Sequence, residues 1–260
     1  MSLIDPPHCP SIRALASSPD YAAQALAAIV RVPLAPDPPQ LLDRLMNATT
    51  ALGATASVFT AAIPEDGREP SSFSLFACHP GFAQTQHSQG PMTHHPWFRF
   101  ARSHSTPGTD QQMPCHLEAD SASLDLARQY GFRSCLVIPT AGGVGRIEML
   151  CLGSKHAEDF EGPEARLVRT LARSLAAELH DWLTVYLQRR LRENARLQDK
   201  DLDLLTLEWQ GLGTKEISSR TGMSTASVNS RFQRINVRLQ CSNRKASAKR
   251  AAAYGLLEST

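Results

Sequence analysis

The residues with the most reactive side chains crowd into one stretch: Cys78-His79, His87, His94-His95, His104 and Cys115-His116. Thiolate and imidazole groups in such density suggest a metal site or a nucleophile with its base. The spacing argues otherwise. Adjacent residues on a strand point to opposite faces, and no pair shows the C-x₂₋₄-C or H-x₃₋₅-H interval of structural zinc. Nothing marks Cys78, Cys115 or Cys135 as an activated thiol with oxyanion donors beside it. Gly142-Gly143-x-Gly145 lacks the Lys-Ser/Thr pair and helix of a phosphate loop and reads as a hairpin turn. The sequence therefore points to no enzyme, no metal and no cofactor.

A second set has a different chemistry. Val228, Phe232, Ile235 and Leu239 recur at i, i+4, i+7 and i+11, so they form the buried face of a helix. At 100° per residue Ala226, Ser230 and Gln233 point away from that face, with Ser227 and Arg234 on one flank and Asn229 on the other. Small and polar side chains near a helix N-terminus, here from Thr225 onward, can enter a DNA major groove and read base edges. Arg231 and Arg238, nearer the core boundary, and Lys215 on the preceding helix suit phosphates. From Trp209 to Leu257 nine basic side chains face the single acid Glu216, a balance of +8 in a chain of net charge +2. Such a basic segment is the electrostatic footprint of nucleic-acid binding, although a solvated basic helical bundle would carry the same charge.

The elements that must position this face are legible in their punctuation. Gly211 and Gly213 interrupt the apolar pattern of Leu202, Leu204, Leu205, Leu207 and Trp209, and Thr214 stands as an N-cap before the next helix. That helix stops at Gly222, and Ser224 caps the third only two residues on, a helix-turn-helix spacing. On these residues, from Leu197 through Glu216-Ile217, Gly222-Met223-Ser224, Ser227-Val228, Leu239 and Asn243-Arg244 to Gly255-Leu256-Leu257, the last quarter resembles the DNA-binding domain of LuxR-type regulators. Asn243-Arg244, Ala248-Lys249 and Gly255-Leu256-Leu257 are similar to its quorum-sensing branch, whose members carry an autoinducer-binding domain in front. Thr221 stands where that family usually has Leu, and Arg231 where His is common.

At 260 residues and 42% apolar composition the chain has material for two domains. No apolar run is long enough to span a membrane, and Met1 to Pro10 has neither the positive n-region nor the apolar h-region of a secretory signal. The cysteines Cys9, Cys78, Cys115, Cys135, Cys151 and Cys241 are scattered without framework spacing, as expected of reduced thiols in a cytoplasm. Residues up to Val185 carry a balance of −5 and those from Tyr186 one of +7. An acidic front half would not follow DNA and suits sensing or oligomerisation. The expected division is 1–185 as a sensor and dimerisation domain, 186–196 as a linker, and 197–260 as an all-α helix-turn-helix domain.

In the front half, helices are expected over Tyr21–Val30, through Leu41, Leu42, Leu45 and Met46 to Gly53, near Trp97–Arg102 and over Ser121–Gln129. Strands are expected at Ala56–Ala62, Phe73–Ala77, Cys135–Thr140 and Ile147–Leu152. Helices before, between and after a small antiparallel sheet make an α/β fold, an α-β-α sandwich. From Pro163 a long helix follows through Leu167, Val168, Leu171, Leu175, Leu179, Trp182, Leu183 and Tyr186. Its apolar stripe can pack on its own sheet, form a dimer seam, or do both.

In the branch it resembles, the ligand pocket lies between sheet and helices, and an aspartate in an Asp-Pro pair holds the ligand amide. This chain has His95-Pro96-Trp97 at the comparable place and Phe82 roughly where a Trp would stand. Strand alternation and this register suggest Phe59, Phe73, Leu75, Phe82, His95, Trp97, Phe100, Tyr130 and Val137 as lining residues. An acyl-homoserine lactone, another small molecule, and no ligand all remain open. The resemblance implies a homodimeric transcription factor on double-stranded DNA, seated on an inverted repeat. The alternative is an interaction protein that heterodimerises with another LuxR-type regulator and inhibits it.

Overall fold

The computed structural model describes residues 11–257 except Pro114, His116 and Gly143. Cys9 and the Met1–Pro10 segment, like His116 and Gly143, lie outside the described residues. The chain divides into two compact units: residues 1–61, 72–140 and 147–182 form the first, and 62–71, 141–146 and 183–260 the second.

The first unit is built on a five-stranded antiparallel sheet in the order β2-β1-β5-β4-β3. Its strands are β1 (Ala56–Glu65), β2 (Arg68–Ala77), β3 (Gly108–Thr109), β4 (Ser134–Ala141) and β5 (Ile147–Ser154), the hairpin ends 62–71 and 141–146 counting with the second unit. Its helices are α1 (Ile12–Ala16), α2 (Tyr21–Ile29), α3 (Pro38–Ala51), α4 (Pro80–Gln89), α5 (Pro96–Ser103), α6 (Glu118–Gln129) and the first part of α7 (Ala165–Asn194). One sheet face meets α3 and α7. Ser57 Oγ bonds Thr49 Oγ1 at 2.6 Å, His180 Nδ1 sits 3.0 Å from Glu148 Oε2, and Phe73 lies 6.1 Å from the Trp182 ring. Trp182 Nε1 donates to Ala35 O at 2.6 Å. The other face meets α4 and α5, where Phe132 lies so close over Gly153 that a Cβ there would approach it to 2.3 Å. The α-β-α layering follows the alternation of β-strand side chains when both faces are covered.

Three elements went unforeseen. Helix α1 is short, β3 spans two residues, and α4 has only Phe82 and Gln86 buried, so none offers an apolar period. Helix α4 is instead started locally: Pro80 fits its first turn and His79 Nδ1 accepts from Gly81 N at 3.0 Å. Strand β2 begins at Arg68, five residues before the expected start, because its exposed end is too polar to read as a strand.

The stretch expected as a linker is helical. Helix α7 runs to Asn194, with Leu187 and Leu191 both buried in the second unit at i, i+4 spacing, so an apolar stripe persists beneath the arginines. It closes at Arg196 in the left-handed region (φ 47°), with Arg196 N and Leu197 N donating to Glu193 O and Arg192 O, the paired bonds of a Schellman stop. Helices α8 (Asp199–Trp209), α9 (Thr214–Thr221), α10 (Thr225–Leu239) and α11 (Arg244–Ala253) complete the second unit. Their core contains Leu204, Leu205, Ile217, Val228, Phe232, Ile235, Leu239 and the small residues Ala248, Ala251 and Ala252.

Candidate functional site

Helix α9 ends at Gly222 (φ 68°), and Ser224 caps α10 by accepting from Ser227 N at 3.1 Å. Thr221 Oγ1 donates back to Ile217 O at 2.7 Å, so the hydroxyl at this position is satisfied within α9. Arg244 of α11 reaches Glu208 of α8 at 3.0 Å and Thr214 Oγ1 of α9 at 2.8 Å, and lies 5.9 Å from the Phe232 ring of α10. One guanidinium of α11 thus touches the other three helices, α8, α9 and α10. Burial pushes the Glu208 carboxyl above its ordinary value, with Arg244 and Lys245 opposing that shift.

With its core face fixed, α10 exposes Thr225, Ala226, Ser227, Asn229, Ser230, Gln233 and Arg234, and Lys215 is exposed on α9. Gln233 and Arg234 make no side-chain hydrogen bond or ion pair among the described residues. The expected reading face therefore stands open along one helix. Arg231 and Arg238 do not share that freedom. Arg231 Nε donates to Asp201 Oδ1 at 2.7 Å and its Nη2 to Gln198 Oε1 at 3.2 Å. Arg238 Nη1 lies 3.4 Å from Asp201 Oδ2 and donates to Arg196 O at 3.4 Å. Both were expected on phosphates; in the fold they are drawn toward a carboxylate on α8.

The proposed sensor residues separate by sheet face. Phe82, His95, Trp97, Phe100, Tyr130 and Val137 lie on the α4–α5 face. Phe82 contacts Trp97, Tyr130 and Phe132 at ring distances of 6.2, 6.1 and 5.3 Å, and Trp97 lies 4.2 Å from His95. Val137 pairs with Gly108, where a Cβ would meet the Phe100 ring. Phe59, Phe73 and Leu75 do not join them. Phe59 shares its side of β1 with Ser57, which bonds α3, and Leu75 shares its side of β2 with Phe73, which meets Trp182. Phe59 and Leu75 are buried and Phe73 is half-buried, all three on the layer opposite the α4–α5 face.

His95 caps α5 through Nδ1, which accepts from Trp97 N at 3.3 Å. Burial drives its pKa down to about 3, with the Arg99 charge adding to the fall and the Ser123 carbonyl and Asp120 opposing it. It is a neutral imidazole at ordinary pH. Asp120 is engaged by Arg99 at 2.6 Å. Trp97 Nε1 and Gln86 Oε1 are buried without a hydrogen-bond partner among the described residues, one donor and one acceptor. Beside α4 a cleft of about 780 Å³ opens against Ser72, Ser74 and Phe76 of β2, with Gln86 and Met92 in its wall and no Asp, Glu, Lys or Arg lining it. Burial pushes the Cys78 thiol up to about 12 and the Cys151 thiol well above its usual range, the reverse of activation. Among the described residues no three His, Cys, Asp or Glu side chains converge as a metal site. No described helix is long and apolar enough to cross a membrane.

This arrangement, a helix-flanked antiparallel sheet followed by short helices, is shared with solved structures. Escherichia coli SdiA superposes with a TM-score of 0.67 at 13% identity, covering 92% of this chain and 100% of that one. SdiA in complex with octanoyl-rac-glycerol gives 0.68 at 12% identity, covering 94% and 100%. CepR2 from Burkholderia cenocepacia, an N-acylhomoserine lactone dependent LuxR family transcription factor, gives 0.51 at 17% identity, covering 63% and 93%. At these identities the likeness establishes the fold. Sequence comparison yields no matching family model and no matching curated relative.

Proposed function

We propose that this chain is a transcription regulator, not an enzyme. In this reading it binds double-stranded DNA as a cytoplasmic homodimer on an inverted repeat, tuned by a small molecule in its front unit. The observation that carries the reading is the open strip on α10. Gln233 and Arg234, unpaired among the described residues, project from a helix whose other side is buried, within a segment of strongly positive balance. An exposed amide and guanidinium spaced along a helix suit base edges, and the surrounding cations suit phosphates. Leu171, Leu175 and Leu179 are buried within one chain, so a dimer seam on α7 would draw on its exposed large apolar residues, Leu167 and Val185.

The fold neighbours support the small-molecule half, since one was solved with octanoyl-rac-glycerol and another is lactone dependent. Neutral His95 offers no charge to a ligand amide, and no Asp, Glu, Lys or Arg lines the cleft beside α4. A neutral ligand with a carbonyl for Trp97 Nε1 and a hydroxyl or N–H for Gln86 Oε1 would suit two of the buried polar atoms that have no partner among the described residues.

The test selects preferred duplexes from a random pool and measures binding of two variants. Gln233→Ala should lose about 1–3 kcal/mol on the preferred site and relax its sequence. Lys215→Ala should weaken every duplex alike and flatten the salt dependence by about one unit. Equal losses on all sequences from both changes would refute the assigned reading face.

A further inference from the structure

Helix α10 carries three arginines on neighbouring rows, Arg231, Arg234 and Arg238, and among the described residues only Arg234 is free of an acid. The acid that takes the other two is Asp201, 2% exposed on the first turn of α8. Its Oδ1 accepts from Arg231 Nε at 2.7 Å, while its Oδ2 accepts from Gln198 N at 3.0 Å and lies 3.4 Å from Arg238 Nη1. Gln198 and the Arg196 carbonyl complete the reception of the two guanidiniums. The geometry is that of an anion held by two cations, and a DNA phosphate would seek the same donors.

We infer that Asp201 is an internal competitor for phosphate: it withholds Arg231 and Arg238 from the DNA backbone and so caps sequence-independent affinity. The inference rests on the DNA-binding reading above. Arg231 and Arg238 are seven residues apart, about two turns, and flank the reading residues Gln233 and Arg234. Were all three arginines available, backbone contacts would dominate binding on any duplex. With two of them neutralised, a larger share of binding depends on the base-facing side chains. Asp201 thereby acts as a specificity-determining residue that never touches DNA.

The inference separates from a purely structural role through a charge-matched control. Asp203, two residues on, is exposed and pairs with no arginine among the described residues. Asp201→Asn and Asp203→Asn in the full-length chain add the same formal charge, but only the first releases guanidiniums. Both are compared with wild type by salt elution from heparin–agarose and by salt titration of binding to a random-sequence duplex, with thermal melts as a check on folding. Asp201→Asn should elute at higher salt than Asp203→Asn, bind the duplex about tenfold more tightly at low salt, and steepen the log–log salt slope by about one to two units. Arg238→Ala should leave wild-type affinity within about twofold, because that arginine is already occupied. Coincident behaviour of the two Asn variants, or a tenfold loss on every duplex from Arg238→Ala, would overturn the assignment. If Asp201→Asn melts, the Arg238→Ala result decides. If wild type selects no duplex, the regulator reading fails, while the heparin comparison still decides whether Asp201 holds the arginines back.

Discussion

Acid should find the front unit at His95. Its side chain is buried beside Trp97, and its pKa falls from 6.5 to about 3 on folding, chiefly by burial. The folded state therefore holds fewer protons than the unfolded chain between those values, and stability rises with pH across that window. The contribution is fully present above pH 6.5 and is lost as pH falls toward 3. Integrated between pH 7.5 and pH 5.0, this one group removes about 2 kcal/mol. The comparison needed is with His95→Asn, which keeps an acceptor for Trp97 N but carries no titrating ring. Arg99 and Asp120 face the site in both proteins, so their own effects cancel in the difference. Urea unfolding of the first unit at the two pH values should show wild type losing about 2 kcal/mol more than the variant. Equal losses would mean that His95 is not buried in neutral form, and the argument for an uncharged ligand would fall with it.

Two further outcomes concern packing. Gly153→Ala would set a Cβ 2.3 Å from Phe132 Cδ1 and 2.8 Å from the Gly131 carbonyl, which is backbone and cannot step aside. A loss of about 1–3 kcal/mol is expected, read as a lowered melting temperature with the fold retained by circular dichroism. Trp182→Phe keeps a ring near Phe73 but leaves the Ala35 carbonyl without its indole donor, at a cost of about 1–3 kcal/mol in the same assay.

The second unit was the more legible. Helix α10 buries one stripe and exposes the other, so a 3.6-residue period maps directly onto inside and outside, and Ser224 and Gly222 mark its start by rules that act over three residues. What the period could not show is a partner thirty residues away. Arg231 sits at the core boundary on any helical wheel, and only the fold brings Asp201 to its Nε. The sheet resists sequence reading for a different reason. Eight consecutive residues of β1 are buried, since helices cover both faces, so burial no longer alternates and nothing local says which face Phe59 takes. The helical form of residues 186–194 was hidden for a related reason. Four arginines between Arg189 and Arg196 conceal Leu187 and Leu191, two side chains that suffice to hold a helix when something apolar lies beneath them.

The aromatic cluster around Phe82 also fastens segments that lie far apart along the chain. Phe82, Trp97 and Phe132 are buried against one another. Close-packed interiors transmit strain. A change of ring size at any one of the three would therefore be felt at α4, at α5 and at the approach to β4 together.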